Sequence, residues 1–392
     1  MFRLLSKRSI RDLVYCAALL TAALGLILAP TEAMEGAKTG LTLCFNVIIP
    51  SLFPFFVLSS LLVELGLAAY LGRALEPVMR PLFRVNGACA TAVALGFVGG
   101  YPVGARTALS LYEKGLCSKT EAERLLAFCN NSGPAFILGV VGAGVFASSR
   151  VGLLLYLVHA LASLLVGLLF RFYGREEGSA RRGGTHVESV RFTSAFTGSV
   201  TRSFQSTLSI CAFVVFFSVV ITLLSRFGIL AALAHGLSAL CAPFGLTEAW
   251  ASRLLTGLLE ISSGVWSLSG SGTLAGRVSM AAFMLGWAGI SVHCQVLSFL
   301  SDSGLSVRTY LLGKLLHGGF SAALVWGLTR LFPLAEPVSA YLAEQVETLA
   351  ELDFSTALTI STVSAWVLWL GCFAVAALVV RKSSRKKSRR VV

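Results

Sequence analysis

The sequence predicts an all-α, polytopic membrane protein of about eight transmembrane helices plus two re-entrant helical hairpins, arranged as two inverted repeats. Three observations carry this expectation. The 392 residues are 56% hydrophobic and only 13% charged, with a mean hydropathy of +0.80, against about 25% charged residues in soluble domains. Several apolar runs reach the roughly 20 residues that cross a hydrocarbon core of about 30 Å. Two further apolar runs, 88–112 and 249–270, are interrupted at their centres by glycine, proline and polar residues, and a helix facing lipid is not built that way.

Taken in order, the expected spans are 12–29, 41–65, 122–146, 151–171, 205–225, 278–300, 309–331 and 355–380. The first follows "MFRLLSKRSIR" as the core of a signal peptide would, yet its flank "APTEAMEG" is a poor cleavage site and the charge pattern works with the helix retained. Cations then set the sidedness. If 88–112 and 249–270 each enter and leave on one side, the N-terminus, the 70–87 loop (Arg73, Arg80, Arg84), the 172–204 linker and the C-terminal tail all face the cytoplasm. The outside then receives 30–40, with Glu32, Glu35 and Lys38, and the acidic 332–354, with Glu336, Glu344, Glu347, Glu351 and Asp353. A single crossing by 88–112 would instead translocate Arg175, Arg181, Arg182, Arg191 and Arg202, against the positive-inside rule.

Length agrees for the first interrupted run. Ala88–Val98 is 11 residues, about 16 Å of helix, which stops at the bilayer midplane. The turn "GGYPVG" reverses the chain and Ala105–Tyr112 returns; Trp250–Leu259 is a second half-depth arm, turning at "EISSG" (260–264). The resulting organisation is 1–40, N-terminal transmembrane helix and external loop; 41–171, first repeat; 172–204, basic cytoplasmic linker; 205–331, second repeat; 332–354, acidic external loop; and 355–392, last helix and basic tail. Within the repeats, Gly66 and Gly228 are 162 residues apart, as are Pro81 and Pro243. The same order of span, amphipathic connector, hairpin, broken span and span recurs in opposite orientation, a design of secondary transporters with the solute site at mid-depth.

The net charge of +13 lies in loops and tails, and "RKSSRKKSRR" (381–390) alone carries seven cations. This reads as a topology signal in contact with anionic membrane lipid, so no nucleic-acid partner is expected. The nine cysteines form no C-x-x-C pair and sit mostly in apolar segments, which makes them small packing residues rather than metal ligands or disulfides. The sequence holds no H-E-x-x-H, nucleophile elbow or phosphate loop, so an enzyme is not expected.

Non-helical backbone at mid-depth is tolerated only where protein or a water-filled cavity satisfies its polar groups. Four stretches qualify. From the first tip, "GGYPVGAR", the candidate substrate-binding residues are Gly99, Gly100, Tyr101, Pro102 and Arg106; from the broken span "FCNNSGPAF", Asn130, Asn131 and Ser132. The second tip, "LEISSG", offers Glu260, Ser262 and Ser263, and "GISVHCQ" offers Ser291, His293 and Gln295. Ionisable groups in apolar surroundings point to function. Two readings stand for Arg106, snorkelling to the cytoplasm or neutralising an anionic substrate, and for Glu260, a structural one (capping its hairpin or pairing with an arginine) or serving the site. His159 and His317, alone on apolar faces, read as structural. Free N–H groups at helix starts after each break favour a small polar solute bearing a carboxylate or other anionic group. No catalytic residue, metal site or cofactor is expected; a coupling sodium ion or proton, and a homo-oligomer, are left open.

The motifs "IIPSLFPFFVLSSLL" (48–62), "GFVGGYPVGAR" (96–106), "KTEAERLLAFCNNSGPAFILG" (119–139) and "GISVHCQVLS" (289–298) resemble the sporulation integral membrane protein family of endospore-forming bacteria (YlbJ type). That family carries nucleoside-recognition, or Gate, domains and is distantly similar to spore maturation proteins A and B. The resemblance covers roughly 40–330 and implies a cell-membrane protein acting in spore formation, with a fold related to concentrative nucleoside transporters. It also implies dipicolinic acid, a small aromatic dicarboxylate, as the leading substrate, moved by alternating access across the membrane surrounding the forespore. The alternatives are a nucleoside or nucleobase transporter and a non-transporting scaffold of a spore-envelope complex. The first tip, "GGYPVGAR", lacks the Gln and Glu that nucleoside transporters place in their first hairpin.

Overall fold

Breaks, not spans, organise this chain. The computed structural model describes residues 7–65, 67–174 and 192–332, together with positions 363 and 366. Among the described residues every regular element is helical. Nearly all of the expected acidic loop 332–354 and of the last span and tail (355–392), residues 175–191 of the linker, and Gly66 of the proposed repeat lie outside them.

The first helices are α1 (Lys7–Leu28) and α2 (Pro30–Leu43), which meet at a bend of 99°. A π-turn, Cys44–Ile48, leads α2 into α3 (Ile49–Glu64). The stretch 30–40, expected as a loop, is therefore helical. Pro30 stands in the first turn, where its missing N–H costs nothing, and Gly36 and Gly40 seat their backbones against Val215, Ser218 and Val219. Those residues belong to α9 (Phe192–Arg226), a 35-residue helix whose first turns absorb 192–204 of the expected linker. The α2–α3 rod runs antiparallel to it, with Glu32 paired to Arg226 at one end and Glu64 to Arg202 at the other. These pairs are solvated and orient rather than stabilise.

Between them lies the first repeat. After the connector α4 (Leu67–Phe83), the chain turns by 97° into the arm α5 (Ala90–Gly99) and returns as α6 (Val103–Glu113). The ten residues of α5 make about 15 Å of helix, half a bilayer core. The broken span follows as α7 (Lys119–Phe128), an unwound segment 129–134, and a π-helical half, Ala135–Val145. A full span, α8 (Ser149–Phe170), closes the repeat; its 22 residues give about 33 Å.

The second repeat restates this order. It comprises α9, the connector α10 (Ile229–Leu240), a hairpin of α11 (Glu248–Leu259) and α12 (Ile261–Trp266), a broken span of α13 (Leu274–Trp287) and α14 (Gly289–Leu300), and α15 (Val307–Leu331). The second hairpin reverses at Glu260 alone, and its return arm has only six residues before irregular backbone leads to Thr273, which caps α13. The expected span 278–300 begins earlier, at Leu274, and breaks at Ala288 and Gly289, both with positive φ. Among the described residues, Ser149–Phe170, Phe192–Arg226, Leu274–Leu300 and Val307–Leu331 are each long and apolar enough to cross a membrane, and the total reaches six only if the two sharply bent pairs, 19–46 and 75–99, each count as one span.

Each hairpin is held shut by glycine. A Cβ on Gly96 of α5 or Gly104 of α6 would run into the Cys129 carbonyl at the first break, so the two arms and the unwound segment share one contact. In the second hairpin the arms touch directly: a Cβ on Gly264 would run into the Gly257 backbone, and one on Gly257 into the Met284 side chain of the broken span. At one end of the bundle, Asn86 donates to both Glu121 carboxylate oxygens (2.7 and 3.1 Å), while Glu123 accepts from Tyr173 Oη and from the Ser306 N–H. That ties the first hairpin's open end to α7, α8 and the start of α15.

Candidate functional site

Gly99 ends α5, and Gly100 adopts φ +75°, which an L side chain rarely does. A cis peptide bond joins Tyr101 to Pro102, and Val103 donates back to the Gly100 carbonyl (2.9 Å). The backbone of Gly133, in the first break, lies against this turn: a Cβ on Gly100 would stand 3.0 Å from the Gly133 nitrogen. The second repeat repeats the relation. A Cβ on Gly289 would stand 3.0 Å from the Ile261 nitrogen. In each half, a glycine of the broken span is seated on the tip of its own hairpin.

Glu260 has extended backbone and folds its carboxylate over the start of α12. Oε1 accepts from the Ser262 N–H (2.9 Å), and Oε2 from the Ser263 N–H (2.7 Å) and Oγ (2.9 Å). It is 1% exposed. Here the expectation from sequence needs correction: the free N–H groups expected to receive a substrate anion at this helix start are taken by the chain's own carboxylate.

The two tips and two breaks converge on a cavity of about 60 Å³, room for a few water molecules at roughly 10–15 Å³ each. Gly100 and Tyr101 line it from the first tip, and Ser132, Gly133 and Phe136 from the first broken span. Glu260, Ile261 and Ser262 line it from the second tip, and Ser291, Val292 and Gln295 from α14. Ile48 of the π-turn and Ile210 and Val214 of α9 close the remaining wall. Aromatic and aliphatic surface with a few convergent polar groups is the usual composition of a small-molecule site.

Seven of the fourteen residues singled out in the sequence therefore share one wall: Gly100, Tyr101, Ser132, Glu260, Ser262, Ser291 and Gln295. Six others support it from behind. Gly99 and Pro102 shape the first turn, and Ser263 holds Glu260. Asn131 Nδ2 donates to the Phe128 carbonyl (3.0 Å), Asn130 Nδ2 reaches Tyr310 Oη at 3.5 Å, and His293 Nδ1 pairs with the same hydroxyl at 3.0 Å. Arg106 is the exception. It lies on the exposed side of α6, donates to Ser206 Oγ (3.0 Å) and stacks over Phe299, so it does not face the cavity.

Sequence reasoning missed Lys314. Its ammonium is 1% exposed, on α15, and donates to the Asn130 carbonyl (2.9 Å), Tyr101 Oη (3.1 Å) and His317 Nδ1 (3.2 Å). Tyr101 Oη in turn donates to the Leu285 carbonyl (2.5 Å) at the end of α13. His317 passes its Nε2–H to the His159 carbonyl, and His159 Nε2 accepts from the Ser132 N–H (3.0 Å). His159 and His317, read as structural, are thus the struts of the first break. The signal for this group was present in "YLLGKLLHGGF" (310–320): Tyr310, Lys314 and His317 recur at helical spacing on one face.

The comparisons with known proteins bear on this architecture. The Gate family, described as nucleoside recognition, matches residues 45–171. Sporulation integral membrane protein YlbJ of Bacillus subtilis (strain 168) is 35% identical over 315 residues, 76% of this chain and 77% of that protein. The chain belongs to this sporulation integral membrane protein family. An uncharacterised protein of Alkalihalophilus pseudofirmus is 33% identical over 109 residues, 27% of this chain and 23% of its own length. A solved structure of CNTnw in an outward-facing state aligns over 82% of this chain and 88% of that one, with 14% identity and a TM-score of 0.47. Its family membership makes the protein an integral membrane protein of a sporulation family.

Proposed function

We propose that this family member is a carrier that moves a small polar metabolite by alternating access, with dipicolinic acid the leading candidate and a nucleoside the runner-up. One observation carries the reading: a single cavity is walled by both hairpin tips and both helix breaks, so its shape depends on how the two repeats sit against each other. A rocking movement between repeats would open it first to one side and then to the other. Gly100, Tyr101, Ser132, Glu260, Ser262, Ser291 and Gln295 would touch the solute. The Tyr101 and Phe136 rings offer a flat solute an aromatic wall. The Ser132, Ser291 and Gln295 side chains offer hydrogen bonds.

In this reading both termini are cytoplasmic, and the protein sits in the membrane surrounding the forespore. Purified full-length protein in proteoliposomes is expected to take up radiolabelled dipicolinate, with excess dipicolinate competing better than uridine or adenosine. Gln295→Ala is expected to lower that uptake about tenfold, the cost of one or two hydrogen bonds to a charged solute. Uptake of neither solute class by a monodisperse wild-type preparation would refute the carrier reading and favour a scaffold.

A further inference from the structure

Lys314 is a cation without a counter-ion. Among the described residues no carboxylate pairs with it, and its three acceptors are a carbonyl, a hydroxyl and an imidazole nitrogen. Three N–H donors meet three acceptors, which is the full capacity of an ammonium group. The acceptors come from three separate elements: Tyr101 from the first hairpin tip, Asn130 from the first break, and His317 from α15 itself. The ammonium also lies 4.9 Å from the centroid of the Tyr101 ring, which forms part of the cavity wall. The titratable groups that face it are Tyr101 on the tip, Cys129 in the break, His159 on α8, His293 on α14, and His317 on α15; Tyr310 of α15 adjoins through Asn130.

We propose that Lys314 is the proton-coupling group of the carrier: its ammonium form latches the first hairpin tip to the first break and to α15, and loss of its proton frees that tip. The proposal rests on the carrier reading only for what the proton drives; the latch itself is independent of it. Release breaks one Nζ–H bond and passes the proton to a water molecule reaching Tyr101 from the cavity. The remaining amine has two N–H donors for three acceptors and turns a lone pair toward one of them, so one bridge must open. The tip carries Gly100 and Tyr101 into the cavity wall, so its release changes the solute site. A dissociable metal cation has no place at this crossing, because the tethered ammonium already fills the gap between the Asn130 carbonyl and Tyr101 Oη.

Hydrogen–deuterium exchange of the 99–106 backbone, corrected for intrinsic exchange rates, reads the latch without any substrate. In wild-type protein the segment is expected to be protected at low pH and to exchange at least about tenfold faster once Lys314 is neutral, the factor corresponding to one charge-assisted hydrogen bond. Sodium chloride in place of potassium chloride should change nothing. Lys314→Met is expected to exchange fast at every pH, and Lys314→Arg slowly at every pH. Tyr101→Phe, which removes at almost constant volume the hydroxyl that accepts from Lys314 and donates to the Leu285 carbonyl, should exchange at every pH at least as fast as Lys314→Met and guards against a variant that fails to fold. Protection independent of pH in the wild type, or restored by sodium, or unchanged in both Lys314→Met and Tyr101→Phe, overturns the proposal. Dipicolinate uptake driven by a pH gradient in sodium-free proteoliposomes is the second arm. Wild-type uptake that needs sodium overturns the coupling assignment, whereas absence of all uptake with the pH-dependent exchange intact defeats the carrier reading and leaves the latch standing.

Discussion

Gly96→Ala and Gly104→Ala are each expected to cost about 3 kcal/mol or more of stability, at the upper end of overpacking penalties. The added methyl group would enter the Cys129 carbonyl, and none of the three partners can yield. Both arms are short and packed, and Cys129 is fully buried at the point where the chain unwinds. Pushing the carbonyl aside would also shift Asn130, whose own carbonyl binds Lys314. Stability loss and disruption of the site are therefore expected together, read as a lower melting temperature in detergent and faster exchange at 99–106. Gly236→Ala supplies the contrast. That glycine lies inside α10, and the place a Cβ would take has nothing within 4 Å; the substitution is expected to gain about 1 kcal/mol from helix propensity. Equal losses at all three positions would show that helix packing in general, rather than the shared carbonyl contact, sets the cost.

Glu260→Ala is expected to lower solute uptake by about tenfold or more and stability by about 1–2 kcal/mol, the usual cost of losing a helix cap. Two N–H groups and one hydroxyl at a buried turn lose their acceptor, and water from the cavity replaces it imperfectly. Glu260→Gln separates charge from shape. Its one remaining acceptor oxygen keeps part of the cap, so stability should fall less than in the alanine variant. Should Glu260 serve only as a cap, the glutamine variant would transport at wild-type rates; a role in the solute site predicts reduced uptake despite the milder stability loss.

The first hairpin was legible in the sequence because "GGYP" admits no continuous helix and Ala88–Val98 is too short to cross. The second was legible in place but not in detail, since one extended residue, Glu260, makes the turn that five were expected to make. Helix α2 escaped because its sequence is polar enough to read as a loop, and Pro30 reads as a breaker unless it is placed at the first turn. Arg106, left between two readings in the sequence, is decided by helical phase: four residues past the turn, it points to α9 and α14 rather than inward. Lys314 was lost by averaging, because one lysine among leucines and glycines leaves an apolar span apolar. Hydropathy finds where a chain crosses; it does not find the single cation on which two broken segments meet.

In the carrier reading, the paired tips and breaks enclose a site that water reaches from alternate sides of the membrane. Ser132→Cys and Ser291→Cys, introduced singly into a chain with its nine cysteines replaced, test it with a membrane-impermeant thiol reagent applied to each side of oriented vesicles. Both serines are 1% exposed, so reaction requires opening. The expected result is that both positions react, that conditions favouring one side of access favour it at both positions, and that dipicolinate slows the reaction. Failure of both cysteines to react from either side, while the same protein reacts fully once unfolded, would contradict it.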